Sequence, residues 1–237
     1  KLKLPKLKSL VKLVEHRPLK GIIKSCTISC TSTGKYYASL LVETKIEKLP
    51  VNNEKVGVDV GIKNLAILSN GKIYENPKWL RKAIDKLAFL QKSLSRKKKG
   101  SNNWHKARKR VAKLYERISN MRHDYLHKVS TSIINENQVV VIEDLQVQDM
   151  MSNHKLARSI ADVSWSMFRT MLTYKAEWYG RELVIAPSSY PSTQLCSSCG
   201  YRNRETKNLS VRTWICPECN VEHDRDMNAA KNLLALA

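Results

Sequence analysis

Acidic residues are scarce in this chain. Over 237 residues, 21 Asp and Glu stand against 42 Lys and Arg, a net charge of +21. That imbalance implies a polyanionic partner, either nucleic acid or an acidic membrane surface. No apolar run reaches the ~18 residues that a transmembrane helix needs, so none is expected. The opening, KLKLPKLKSLVKLV, is basic and apolar but lacks the h-region and cleavage site of a signal peptide. It also lacks an initiating Met and opens in a strand-like stretch, so the chain reads as a fragment or a truncated gene product. Without secretion signals a disulfide framework is not expected either, and a reducing compartment is.

The cationic excess is concentrated. From Lys78 to Lys128 there are 17 Lys and Arg against 3 Asp and Glu, and from Lys1 to Lys24 there are 8 against 1. The rest of the chain is balanced, so two basic elements are mounted on a near-neutral body. A solvated helix face is the ordinary reading of such a run. At this density, with His105, His123 and His127 added, nucleic acid explains it better.

The pattern of apolar residues predicts an α/β chain. Residues 19–47 alternate around the turn signal Thr31-Ser32-Thr33-Gly34-Lys35, giving antiparallel strands of a small β-barrel. VGVDVGIKNLAIL reads as strand, turn, strand, and Asn70-Gly71 starts a hairpin to a third strand at Lys72–Tyr74. The period then becomes helical. Leu80, Ile84, Leu87 and Leu94 form one stripe; Val111, Leu114, Ile118, Met121, Tyr125 and Val129 form another. The loop 97–103 joins them into a helical hairpin with an apolar seam and basic outer faces. QVVVIE reads as a buried strand ending in Glu143 and Asp144. A helix is expected from about Lys155 to Gly180, a strand at Leu183–Ala186, and a last helix over Met227–Leu236.

Two constellations carry chemistry. Asp59 ends one apolar strand, Glu143 ends another, and Asp226 begins the last helix. Carboxylates gathered at a sheet rim repel one another unless a divalent cation lies between them, and hard oxygen ligands suit Mg²⁺. A two-metal site can clamp a phosphodiester for hydrolysis. Each acid alone is more commonly a turn or cap residue, so they inform only as a set. Asp144 and Asp224 are the neighbours that could replace them; Asp224 reads as a loop or cap residue. The second constellation is Cys196-Ser-Ser-Cys199 and Cys216-Pro-Glu-Cys219, two knuckles suited to a structural Zn²⁺. Trp214 and Tyr201 are expected to cover that metal, although Trp214 could instead stack on a base. Arg202, Arg204 and Arg212 make this segment basic. Cys26 and Cys30, four apart on a strand, read as buried thiols, and His223 as a spectator or a nucleic-acid contact.

At these residues the chain resembles the TnpB (OrfB) proteins of insertion sequences, relatives of the type V CRISPR effectors. GVDVGIKNLAILSNG resembles their first RuvC motif, and VVVIEDLQVQDMMSNHKLARSIADVSWSMF the second. SSYPSTQLCSSCGYRNRETKNLSVRTWICPECNVEHDRDMNAAKN resembles the zinc ribbon joined to the third motif, and the segment 94–131 their basic hairpin. Asn220 stands where the family often has Gly, and Asn tolerates the same left-handed turn.

The resemblance implies an α/β, RNase H-like (RuvC) mixed sheet with an inserted helical hairpin and a zinc ribbon, preceded by a partial β-barrel. The implied domains are a partial wedge barrel over 1–52, a nuclease domain over 53–192 with its hairpin at 78–134, a ribbon over 193–222, and the end of the nuclease domain at 223–237. The family's recognition lobe and the first part of its barrel do not appear, which fits a truncated chain.

It further implies an RNA-guided, Mg²⁺-dependent DNA endonuclease with Asp59, Glu143 and Asp226 as catalytic metal ligands. Cys196, Cys199, Cys216 and Cys219 would hold Zn²⁺. The expected nucleic-acid contacts are Arg96, Lys97, Lys98, Lys99, Lys106, Arg108, Lys109, Arg110, Arg117 and Arg212. The expected partners are DNA and a guide RNA, with no membrane, in a prokaryotic cytoplasm at the nucleoid. Two alternatives stand beside this reading. One is a catalytically inactive RNA- and DNA-binding accessory of transposition or transcription; the other is a zinc-stabilised basic domain binding nucleic acid non-specifically.

Overall fold

The computed structural model describes residues 1–16, 18–208 and 210–237, with every side chain among them except that of Lys155. Arg17, one cation of the N-terminal basic segment, lies outside the described residues. The chain forms two compact units, Lys1–Ile46 and Glu47–Ala237.

In the first unit, β1 (Ile22–Cys30) pairs antiparallel with β2 (Tyr36–Glu43). The expected turn closes them: Thr31 N–H donates to Lys35 C=O and Gly34 N–H to Thr31 C=O, with Gly34 at φ 82. Of the expected partial β-barrel, this pair is the part present among the described residues. Cys26 and Cys30 are exposed, which corrects their reading as buried thiols. Sharing a strand face buries that face only where a second layer covers it, and a lone strand pair has none.

The second unit is built on a five-stranded mixed sheet in the order β5-β4-β3-β6-β7. These are β3 (Lys55–Val60), β4 (Asn64–Leu68), β5 (Ile73–Glu75), β6 (Val139–Glu143) and β7 (Glu182–Ala186). The first three form an antiparallel meander, and β6 and β7 continue it parallel to β3. Both faces of β3 and β6 are covered, which is why their sequences are nearly continuous apolar runs rather than alternating ones.

Helices fill the crossovers. α1 (Trp79–Lys82), α2 (Ile84–Ser95) and α3 (Asn102–Glu136) lie between β5 and β6; α2 and α3 are the two arms of the basic hairpin. Ser101 caps α3, its hydroxyl accepting from Trp104 N–H at 3.2 Å. α4 (Val147–Met151), α5 (His154–Val163) and α6 (Trp165–Tyr179) lie between β6 and β7. The single helix expected from Lys155 to Gly180 is therefore broken, at Ser164 (φ 60, ψ 49). Ser164 Oγ donates to Ala161 C=O at 2.9 Å, the local bond by which serine competes with helix continuation. The break lets Trp165 and Phe168 turn into the core. Gly180 ends α6 in the left-handed conformation (φ 68), as the sequence predicts.

One sheet face packs Val56, Val58, Val140 and Ile142 against α3 and α6, through Leu126, Ile133, Phe168 and Leu172. Asp162 ties three helices there. It accepts from the backbone N–H groups of Leu80 and Arg81 and, at 2.8 Å, from Arg122 Nη2. The opposite face packs Val139, Val141 and Ala186 against Leu233 of α7 (Arg225–Leu234). Between β7 and α7 come β8 (Thr213–Ile215) and β9 (Glu222–Asp224), an antiparallel pair.

Candidate functional site

Gly57 fixes the geometry. A Cβ there would lie 2.0 Å from Ala230 C=O and 2.5 Å from Leu234 N, so the backbones of β3 and α7 meet directly. Asp59 is two residues on and shares Gly57's face. Asp226 is one helical turn before Ala230, on the same side of α7. Two strand residues advance about 6.7 Å and four helix residues about 6 Å, so the two acids keep step from the contact point. β6 supplies the third acid. Val58 lies opposite Ile142 in parallel register, and the next pair along is Asp59 beside Glu143, pointing to one face. The sheet and one helix thus bring together Asp59, Glu143 and Asp226.

The electrostatics record the crowding. Burial pushes the Asp59 carboxyl well above the usual carboxylate range; Glu143 and Asp226 raise it further, while Arg225 opposes. Burial also raises Glu143, against a hydrogen bond from Ser192 and the charge of Arg225. Asp226 is paired with Arg212 Nη1 at 3.2 Å and with Arg225 Nη2 at 3.3 Å. Arg225 is buried, and its Nε and Nη1 have no hydrogen-bond partner. It is a fixed positive charge next to three acids. Asp144 takes no part, being ion-paired with Arg169. Asp224 is the N-cap of α7, accepting from Met227 N–H at 2.8 Å, in keeping with its reading as a cap.

The four cysteines converge more tightly. Among the described residues they are the one group of three or more His, Cys, Asp or Glu whose ligand atoms all lie within 4.8 Å of one another. Cys196 Sγ is 3.6 Å from Cys219 Sγ, and Cys199 Sγ is 3.6 Å from Cys216 Sγ. A disulfide would need about 2.05 Å. Four sulfurs about 2.3 Å from a tetrahedral ion stand roughly 3.8 Å apart, so the spacing fits a metal. The two knuckles repeat one fold. Gly200 N–H donates to Cys196 C=O and Asn220 N–H to Cys216 C=O, both at 2.8 Å. Asn220 adopts φ 57 where Gly200 has φ 80, the left-handed turn that Asn tolerates.

Trp214 packs with Cys196 and Cys216 and is buried, as expected of a residue that covers the cluster, whereas Tyr201 is exposed. His223 corrects its reading as a spectator or nucleic-acid contact. It is buried, its Nε2 is 3.0 Å from Cys196 Sγ, and its ring lies 4.9 Å from that of Trp214. No sequence signal marked it: Trp214 and His223 become cross-strand partners, covered together, only through the pairing of β8 with β9. Ser192, whose Oγ is 2.5 Å from Glu143 Oε1, also escaped the sequence reading; an isolated serine carries no motif.

Of the cations expected at nucleic acid, Arg212 joins the acidic group. The other nine hold exposed positions on the loop 96–99 and along α3, with Arg108 over the Trp104 ring at 5.6 Å.

The fold and these two groupings define a class: an RNase H-like α/β domain carrying three acids on one sheet face and a four-cysteine ribbon just before its last helix. Comparison with known proteins is consistent with that class. The family model described as "Probable transposase" (OrfB_IS605) matches residues 39–154, and "Cas12f1-like, TNB domain" matches residues 165–233. The chain belongs to the TnpB (OrfB) family.

A Streptomyces pristinaespiralis protein named "Putative RNA-guided DNA endonuclease" is 47% identical over 209 residues, 88% of this chain and 52% of that protein. "Putative RNA-guided DNA endonuclease InsQ" of Escherichia coli K12 is 36% identical over 98% of this chain and 61% of that one. The chain thus spans little more than half the length of these relatives. Among solved structures, a Cas12f1 chain from a complex with guide RNA and target DNA superposes with a TM-score of 0.53 at 17% identity. The match covers 87% of this chain and 55% of that one, and is a likeness of fold.

Proposed function

We propose that this chain is the nuclease portion of an RNA-guided DNA endonuclease, hydrolysing DNA phosphodiesters with divalent cations held by Asp59, Glu143 and Asp226. The observation that carries the reading is the convergence of three carboxylates from β3, β6 and α7 on one face of the sheet. Buried like charges are costly, and a hard cation is the usual means of balancing them. Bound Mg²⁺ would supply water activation and charge neutralisation at the phosphodiester.

The chain's own residues do the rest. Asp59 and Glu143 come from adjacent strands and are held by the sheet register. Asp226 rides on α7. Arg212, exposed and beside Asp226, is placed to meet a phosphate oxygen. The hairpin cations Arg96, Lys97, Lys98, Lys99, Lys106, Arg108, Lys109, Arg110 and Arg117 would bind backbone phosphates, leaving sequence to the pairing of guide and target. Zn²⁺ held by Cys196, Cys199, Cys216 and Cys219 would fold the ribbon, closed by four thiolates with no open position. In domain terms, residues 1–52 are the wedge-barrel part, 53–192 with 223–237 the nuclease domain, and 193–222 the ribbon.

The test is cleavage of labelled DNA by the purified chain with its co-purifying RNA, in Mg²⁺ and in EDTA, beside Asp226→Ala. Cutting should require Mg²⁺ and fall in the variant by a factor of about 10²–10³, the scale on which loss of transition-state charge stabilisation acts. Binding without cutting would return the non-catalytic alternative. Cutting by the variant at the full rate would remove Asp226 from the site.

A further inference from the structure

We propose that Ser192 is a positioning residue for the carboxylate site: its hydroxyl holds one oxygen of Glu143 and leaves the other to face the cation. The inference rests on the reading of Asp59, Glu143 and Asp226 as metal ligands.

Glu143 is the last residue of β6, where the sheet fixes its backbone but not its long side chain. Ser192 fixes the side chain. Its Oγ donates to Glu143 Oε1 at 2.5 Å, and the residue is 4% exposed. A serine hydroxyl has one proton to give, and here that proton goes to the carboxylate.

The backbone of the loop that carries Ser192 is pinned to α7. Asn232 Nδ2 donates to the carbonyls of Ser192 and Leu195, both at 2.7 Å. Asn228 Nδ2 donates to Leu195 C=O at 2.6 Å, and its Oδ1 accepts from Ser197 N–H at 2.8 Å, inside the first cysteine knuckle. Tyr190 Oη donates to Asn232 C=O at 2.9 Å. α7 therefore sets two acids at once, Asp226 on its own first turn and Glu143 through Asn232 and Ser192. The first cysteine knuckle is clamped to the same helix, so the ribbon and the carboxylates share one reference frame.

The experiment is Mn²⁺ binding to the 237-residue chain followed by electron paramagnetic resonance, which needs neither guide nor DNA. Ser192→Ala, Ser192→Thr and Asp59→Ala are compared with the wild type, and melting in EDTA is recorded for each. Loss of a hydrogen-bonded partner of a metal ligand weakens metal binding by about tenfold or more. Ser192→Ala should show that loss with its EDTA melting point unchanged, and Ser192→Thr, which keeps the hydroxyl, should recover most of the affinity.

Wild-type affinity in Ser192→Ala, or equal weakness in the Ala and Thr variants, overturns the proposal while leaving the metal site standing. Identical Mn²⁺ binding by wild type and Asp59→Ala overturns the metal site itself, and the role of Ser192 with it. A weakened Ser192→Ala whose affinity loss is matched by a lowered EDTA melting point, with no rescue by Thr, makes Ser192 a packing residue and also overturns the proposal.

Discussion

Asp59 is held where its charge is penalised by burial first and by two neighbouring acids second. Its folded-state proton affinity exceeds that of the unfolded chain, so it subtracts stability wherever the unfolded carboxyl would ionise. The penalty is absent below about pH 4, grows as pH rises through the window up to the raised value, and is then constant. Asp59→Asn should therefore raise the melting temperature in EDTA at neutral pH, by about 2–4 °C for each kcal/mol relieved. That advantage should shrink as the pH is lowered toward 4, and the variant should lose any stabilisation by Mg²⁺. Thermal melts across pH with and without Mg²⁺ check this; an unchanged or lower melting point at neutral pH would show that Arg225 already compensates the charge. Stability given up at such a residue is typical of a functional position.

At the scale of elements, the contact of β3 with α7 decides whether there is a site at all. Gly57 is where the helix backbone meets the strand. Gly57→Ala must push α7 away from the sheet. The cost should be at least about 3 kcal/mol, the upper end for overpacking, or roughly 6–12 °C in melting temperature. Circular dichroism melts would measure it. If the variant folds, Asp226 is displaced from Asp59, and metal-dependent cleavage should fall more than stability does. The break at Ser164 belongs to this scale as well. Apolar residues continue on both sides of it, and the break is accompanied by burial of Trp165 and Phe168 in the core.

For the whole molecule, the net charge of +21 sets the terms on which it meets a polyanion. The cations at 96–99 stand exposed on the hairpin loop. Changing Lys97, Lys98 and Lys99 to Ala together should weaken single-stranded DNA binding without changing sequence preference. It should also make the slope of log affinity against log salt shallower by about 2, since each phosphate contact contributes roughly 0.7. Fluorescence anisotropy over a salt series reads this directly. An unchanged slope would mean that the hairpin loop does not meet phosphate and that the basic run is a solvated face.

The sequence by itself determined the elements and the chemistry types. Continuous apolar runs marked β3 and β6, because both of their faces are buried, and a helical apolar stripe marked α3, because burial forces a repeat of 3.6 on a helix with one face to a core. Cys-x-x-Cys twice identified the knuckles, since that spacing lets two thiolates face one ion. Tertiary structure alone decided the rest. Which carboxylates share a face followed from parallel register and from one glycine contact, both of them non-local. The exposure of Cys26 and Cys30 depended on the lack of a covering layer in their unit. The roles of His223 and Ser192 arose from contacts across 27 and 49 residues of chain. A side chain's neighbours at such separations are set by how the elements pack, and no local pattern records them.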